Sequence, residues 1–252
     1  MTSKELLSCA MDIGEQMLIS GAEVERVEST IRFICSAYGC RRTDVFTITA
    51  NIETTIEDAD GQYYTQSRRI TRTRTNLERL HALNALSRQI CAQQPDHAYI
   101  QQQIQKICAR KPYPLWLEAL GSALIAFSFA QFFGGSLEDG LVASVLCFGL
   151  RYTTFLLQMA SLNQIFVNIV ASFLMCCTAM GVTRMGLGDD VNKIIIGNIM
   201  LLIPGIALTN SIRDMICGDI MTGIMRFFDA VLVAVAIAAG YILAVHLMGG
   251  VL

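Results

Sequence analysis

The sequence lacks the motifs that mark the common enzyme classes. It contains no nucleophile elbow, no glycine-rich phosphate loop and no HExxH pattern, and its nine cysteines fall in neither CxxC nor zinc-finger spacing. It also lacks an excess of one charge, because 19 basic residues face 21 acidic ones. These absences argue against an enzyme, a metal site, a bound cofactor and a nucleic-acid partner.

Charged residues are scarce in the second part of the chain. Residues 1–111 carry 14 of the 19 Lys and Arg and 13 of the 21 Asp and Glu, whereas residues 112–252 carry only 5 and 8 among long apolar runs. The prolines of Lys111-Pro112-Tyr113-Pro114 separate the two parts, because proline ends one helix and precedes the next. The N-terminus lacks the apolar core of a signal peptide. We therefore predict a cytosolic α+β domain over 1–111 and an all-α polytopic membrane domain over 112–252.

The first part contains both helical and strand patterns. Two apolar stripes, Leu6 to Met17 and Val24 to Tyr38, predict an αα-hairpin joined at Gly21. Strict alternation from Phe46 to Glu57 predicts one strand of about a dozen residues with its even-numbered side chains buried. Asp60-Gly61 predicts a hairpin turn that returns through 62–69, and apolar stripes over 77–90 and 100–108 predict two more helices.

The second part contains about five apolar segments that we predict to cross a membrane. They are Leu115–Phe133, Leu141–Met159, Ile165–Thr183, Ile194 to about Leu208, and about Met225 to Met248. Lys106, Arg110 and Lys111 directly precede the first segment, so the positive-inside rule predicts a cytoplasmic N-terminus. Five spans then place the C-terminus outside.

The stretch from Ile194 to Phe228 combines a broken span with charges. Pro204-Gly205 interrupts an apolar run, and acids and arginines follow at once, which is costly unless they face protein or water. The candidate transport residues are Asn198, Pro204, Gly205, Asn210, Arg213, Asp214, Asp219, Gly223, Arg226 and Asp229. The alternative is a kinked helix followed by a cytoplasmic loop with surface ion pairs. Glu118 and Arg151 are secondary candidates that could instead snorkel to water.

Three segments resemble the threonine/serine exporter family over roughly residues 8–245. They are LISGAEVERVESTIRFICSAYG, TITANIETTIEDADG and LLIPGIALTNSIRDMICGDIMTGIMRF. The resemblance implies secondary export of small amino acids across the cytoplasmic membrane, driven by the proton-motive force. Full-length members carry a second membrane half. This chain resembles the split form, which implies a separate small polytopic membrane partner besides substrate and lipid.

A Pro-Gly break creates a half-helix whose positive end begins near Gly205. That end or Arg213 could bind the carboxylate of an amino acid, and Asp214, Asp219 or Asp229 could bind its ammonium or carry a coupling proton. Related split systems handle small carboxylates, so a dicarboxylate exporter is one alternative. A membrane-anchored sensor or scaffold is the other, and homo-oligomer formation is left open.

Overall fold

The computed structural model describes residues 1–111, 113–159 and 162–249, which are mostly helical. Pro112, a residue of the predicted domain boundary, lies outside the described residues. The chain forms two compact units. The first comprises Met1–Lys111 with Leu208–Phe227, and the second comprises Pro112–Ala207 with Phe228–Leu252. The division into domains 1–111 and 112–252 stays a prediction.

The first unit contains four N-terminal helices and a three-stranded antiparallel sheet. In chain order they are α1 (Ser3–Ile19), α2 (Val24–Ala37), β1 (Arg42–Ile48), β2 (Asn51–Glu57), β3 (Tyr63–Arg69), α3 (Leu77–Gln93) and α4 (His97–Cys108). The sheet has the order β1-β2-β3. The predicted apolar stripes form its core, with Ile13 and Met17 of α1 and Ile31 and Ile34 of α2 fully buried. The predicted helices are therefore confirmed.

The predicted single strand over 46–57 is wrong. The chain turns at Thr49-Ala50, and β1 pairs antiparallel with β2 so that Ile48 lies opposite Asn51 and Thr47 lies opposite Ile52. The alternation of apolar and polar residues continues along the sequence through this two-residue turn. The side chains that face the core nevertheless change from odd-numbered residues in β1 to even-numbered residues in β2. Thr47 and Ile52 are consequently buried on one face, whereas Phe46, predicted to be buried, is 62% exposed.

The return strand after Asp60-Gly61 is confirmed. Gly61 has φ of +77°, a left-handed conformation that glycine adopts without strain. β3 pairs antiparallel with β2, with Tyr63 opposite Glu57.

The regular elements described in the second unit are all helices. Its elements are α5 (Leu115–Phe132), α6 (Leu137–Met159), α7 (Gln164–Arg184), α8 (Val191–Ile199), the start of α9 (Gly205–Ile216) and most of α10 (Ile220–Leu247). Among the described residues, α5, α6, α7 and α10 are long and apolar enough to cross a membrane. The count of five spans is not confirmed, because the segment predicted as the fourth span is divided between α8 and α9.

The interruption at Pro204-Gly205 is wider than predicted. Helix α8 ends at Ile199, a turn follows over 200–203, and α9 begins at Gly205 directly after the proline. Proline lacks the N–H that a helix interior needs, but the first turn of a helix tolerates it. The last span also begins earlier than predicted, at Ile220 instead of about Met225.

Small residues allow the helices of the second unit to approach closely. A Cβ added at Gly240 of α10 would lie 2.4 Å from the carbonyl oxygen of Ile169 in α7. The Ser172 hydroxyl of α7 donates to the carbonyl oxygen of Ile237 at 2.8 Å. Gly197 of α8 has a similarly tight place, because its Cβ would lie 2.7 Å from the carbonyl oxygen of Ala126. Such contacts are typical of helix packing in membranes.

Candidate functional site

The residues after the Pro-Gly break form a helical hairpin in the first unit. Helix α9 ends near Cys217, and Gly218 has φ of +103°, which permits the reversal into α10. The two helices then pack tightly at the predicted site residue Gly223. A Cβ there would lie 2.7 Å from the carbonyl oxygen of Ser211. Gly223 therefore has a packing role in this hairpin.

Asp214 and Arg226 form a buried ion pair between the two helices of this hairpin. Asp214 is only 2% exposed, and its Oδ2 accepts a hydrogen bond from Nη1 of Arg226 at 2.8 Å. The Nη2 of Arg226 donates to the carbonyl oxygen of Ala22 at 2.9 Å. The two charges are therefore neutralised against each other, and Arg226 also fixes the chain just before α2.

The Asp214 carboxylate also accepts a hydrogen bond from the backbone N–H of Val24, the first residue of α2. The preceding residue, Glu23, makes no side-chain cap for this helix. Asp214 thus supplies the negative group that a helix N-terminus favours. Burial raises the pKa of the Asp214 carboxyl, and the Arg226 charge and the Val24 N–H oppose that shift.

The other charges of the hairpin lie nearer the surface. Nη1 of Arg213 donates to Oε1 of Glu23 at 2.7 Å, but the Arg213 side chain is 54% exposed. Asp219 is half-buried, and burial together with the nearby Glu25 raises the pKa of its carboxyl. A substrate carboxylate at Arg213 would have to displace Glu23.

The predicted site residues do not all fall in one unit. Asn210, Arg213, Asp214, Asp219, Gly223 and Arg226 belong to the first unit, and Asn198, Pro204, Gly205 and Asp229 belong to the second. Asn198 is fully buried, and its Nδ2 donates to the carbonyl oxygen of Ile194 at 2.9 Å. Its Oδ1 has no hydrogen-bond partner among the described residues. Asn210 is half-buried and Asp229 is exposed. Whether these residues bind substrate stays a prediction.

The second unit contains a partly polar cavity of about 380 Å³. Helices α5, α6, α7 and α10 and the turn after α8 contribute to its wall. The lining residues are Ser122, Cys147, Leu150, Arg151, Thr154, Gln158, Gln164, Val167, Asn168, Leu201, Leu202 and Val233. Arg151 is one of the two secondary candidates from the sequence, and its guanidinium pairs with the other, Glu118.

Sequence reasoning missed most of the polar groups of this cavity. Arg151, Thr154 and Gln158 recur along α6 at intervals of three and four, which places them on one helical face. Gln164 and Asn168 are four apart on α7, and Nε2 of Gln164 donates to Oδ1 of Asn168 at 3.0 Å. The signal that could have found them is this repeated spacing of polar residues within apolar segments.

Asp139 is a buried acidic residue outside the cavity lining that the sequence did not single out. It lies in the first turn of α6, is 1% exposed and accepts hydrogen bonds at Oδ1 from the backbone N–H groups of Asp189 and Asp190 at 2.8 and 2.9 Å. Its Oδ2 accepts from the backbone N–H of Ser136 at 2.9 Å. Asp139 therefore holds the start of α6 to the loop before α8, which is a structural role.

These features define a class of protein. A helical unit whose four long apolar helices enclose a partly polar cavity with a paired cation and anion is typical of a multi-pass membrane transporter. Residues 8–248 match the threonine/serine exporter family, and the chain belongs to it. The resemblance noted in the sequence is therefore confirmed.

The relatives of this chain differ in how much of their own length aligns with it. The chain is 28% identical to a threonine/serine exporter of Corynebacterium glutamicum, with 96% of this chain and 51% of that protein aligned. It is 23% identical to a "Probable threonine/serine exporter" of Mycobacterium tuberculosis, with 97% and 46% aligned. It is 24% identical to the "Probable succinate transporter subunit YjjP" of Klebsiella aerogenes, with 96% and 92% aligned. The chain thus spans about half the length of the two exporters and nearly all of the subunit. No solved structure matches it.

Proposed function

We propose that this chain is one subunit of a secondary exporter of small amino acids of the threonine/serine type in the cytoplasmic membrane. The observation that carries the proposal is the polar cavity with its Arg151–Glu118 pair inside the unit that contains the long apolar helices. An ion pair in such a place is costly to build and is found where polar solutes pass. Membership of an exporter family supports the same function.

The chain works with a second small polytopic membrane protein. Nearly the whole chain aligns with about half of each full-length exporter, whereas it aligns with almost the full length of a protein named as a transporter subunit. A second chain would supply the membrane half that the longer relatives carry within one polypeptide. We further propose that the proton-motive force drives export.

Contacts within the first unit support a fourth crossing over 191–208, and Lys106, Arg110 and Lys111 before α5 support a cytoplasmic N-terminus. Arg213 and Arg226 contact residues 22–23, so the α9–α10 hairpin lies on the same side of the membrane as the N-terminal helices. Three crossings by α5, α6 and α7 bring the chain to the opposite side, and only a crossing between 191 and 208 returns it. Helix α10 then takes the C-terminus outside. This arrangement gives five spans with the fourth one broken.

Efflux from cells tests the proposal. Cells that contain the full chain are loaded with a threonine- or serine-containing dipeptide, and amino-acid efflux is followed with and without the second subunit. We expect efflux only when both chains are present, and an uncoupler should abolish it. Absence of amino-acid efflux from cells in which both proteins are inserted would contradict an amino-acid exporter and leave the dicarboxylate exporter and the sensor or scaffold.

A small dicarboxylate is the second candidate substrate, because the relative with the best coverage of its own length is named as a succinate transporter subunit. The same cells loaded with succinate separate the two substrates. Efflux of succinate without efflux of threonine or serine would favour this alternative.

A further inference from the structure

We propose that the cavity of the second unit is the substrate site, in which Arg151 binds the carboxylate and Glu118 the ammonium of a zwitterionic α-amino acid. The inference rests on the proposed export function and deepens it, because it names the residues that choose between amino acids and dicarboxylates. Arg151 lines the cavity, and Glu118 lies one helical turn before Ser122, which also lines it.

The charge balance of the pair fits a zwitterion. In the structure the guanidinium and the carboxylate neutralise each other. A bound α-amino acid offers one negative and one positive group, so each side chain exchanges its protein partner for the opposite charge of the ligand. The site stays neutral during this exchange, which matters because an unpaired charge is costly away from water.

A dicarboxylate does not fit the same arrangement. It brings two negative charges to a site that offers one cation and one anion, so that Glu118 faces a like charge at close range. Repulsion between like charges at such distances is strong where water is scarce. Glu118 therefore excludes dicarboxylates as well as binding an ammonium group.

The remaining lining matches a small hydroxylated side chain. The Ser122 hydroxyl donates to the carbonyl oxygen of Glu118 at 2.9 Å, and the Thr154 hydroxyl donates to that of Arg151 at 2.9 Å. Both hydroxyl oxygens can still accept a hydrogen bond. The volume of about 380 Å³ is near the lower end of the range of small-molecule pockets. The cavity thus suits an amino acid with a short polar side chain.

The pair is accessible enough to change partners. The side chains of Arg151 and Glu118 are 20% and 28% exposed, in contrast to the Asp214 side chain of the first unit at 2%. A purely structural ion pair would hold α5 to α6 without selecting a solute. Ligand selectivity separates these two roles, because a structural pair has no reason to distinguish serine from an analogue without the amine.

The test compares serine with 3-hydroxypropanoate, which keeps the carboxylate and the side-chain hydroxyl of serine but lacks the ammonium group. Binding of both ligands, and of succinate, is measured on the purified full chain with its partner for the wild type and for Glu118→Gln and Arg151→Gln. We expect wild-type protein to prefer serine over 3-hydroxypropanoate by more than about tenfold. Glu118→Gln should abolish that preference and admit succinate, and Arg151→Gln should lose all three ligands. Glu138→Gln, an exposed carboxyl of the same unit, is the matched control and should behave as wild type.

A measurement on the wild-type chain protects the test against misfolding of the charge variants. The thiol of Cys147 already lies in the cavity wall, and its modification can be followed by peptide mass spectrometry. Serine should slow the reaction of Cys147 with a small methanethiosulfonate reagent, and 3-hydroxypropanoate and succinate should not. Equal protection by all three ligands, or an unchanged serine preference in folded Glu118→Gln, would overturn the inference. If wild-type cells export neither threonine nor serine, the proposed function itself fails. If they export while both charge variants keep wild-type selectivity, only the site assignment fails.

Discussion

Replacing Arg226 by methionine removes the cation that neutralises a buried carboxylate. The Asp214 carboxylate, 2% exposed, would keep the Val24 N–H but lose its hydrogen bond at 2.8 Å from Arg226. Removal of one partner of a buried ion pair costs about 3–5 kcal/mol. Arg226→Met also deprives the Ala22 carbonyl oxygen of its donor. We therefore expect a loss of about 3–5 kcal/mol in the free energy of unfolding of the first unit at neutral pH.

The double variant tests the reasoning. Asp214→Asn with Arg226→Met removes both charges, so no unpaired ion stays buried, and the combined loss should be smaller than that of Arg226→Met alone by about 1–2 kcal/mol. Arg213→Met is the matched control. Arg213 also pairs with a carboxylate, at 2.7 Å from Glu23, but it is 54% exposed and should contribute less than about 1 kcal/mol.

Cys35 provides the assay. It is fully buried in the core of the first unit, so its thiol reacts only when that unit opens. The rate of its modification in the full chain in detergent, followed by peptide mass spectrometry over a series of urea concentrations, gives the opening free energy. Equal losses for Arg226→Met and Arg213→Met, together with additivity in the double variant, would refute the argument that burial decides the strength of the pair.

The pH dependence has a definite sign. Burial raises the pKa of Asp214 above its ordinary value of 3.8, so the folded state keeps this proton to a higher pH than the unfolded state. Its stability contribution is complete below 3.8 and is lost as the pH rises through the folded pKa. Without Arg226 the pKa rises further. The stability loss in Arg226→Met should therefore shrink on acidification from neutral pH, whereas a loss that is constant with pH would point to packing alone.

Substitutions at Thr54, Asp139 and Gly240 probe other interior positions of the two units. Thr54→Val should stabilise the first unit by about 1 kcal/mol in the same thiol assay, because the fully buried Thr54 hydroxyl has no hydrogen-bond partner among the described residues. The control Thr55→Val loses a hydrogen bond at the surface and should not stabilise the unit. Asp139→Ala should destabilise the second unit by about 2–4 kcal/mol in thermal unfolding in detergent, because it leaves three backbone N–H groups without their acceptor; an unchanged midpoint would contradict this role. Gly240→Ala should lower the same midpoint by forcing α7 and α10 apart, at a cost of about 1–3 kcal/mol, while Gly181→Ala, with open space around its Cβ, should leave it unchanged.

Local patterns predicted the elements better than their pairing. The apolar stripes of α1 and α2 and the turn at Asp60-Gly61 were readable because each depends on neighbours within one or two turns of chain. The two-residue turn at Thr49-Ala50 was not, because it leaves the alternation along the sequence unbroken. Only the pairing of Ile48 with Asn51 shows that the buried positions change from odd-numbered to even-numbered residues at this turn.

The candidate site was harder to predict for a different reason. The charges after Pro204 stand out in the sequence because they are close together, yet most of them form ion pairs with one another or with residues near Glu23. The lining of the cavity is spread over several helices, and none of them contributes more than three polar or charged residues. Their proximity depends on helix packing in three dimensions, which a single sequence does not encode in any local pattern. Of this lining, only Arg151 was a candidate site residue from the sequence.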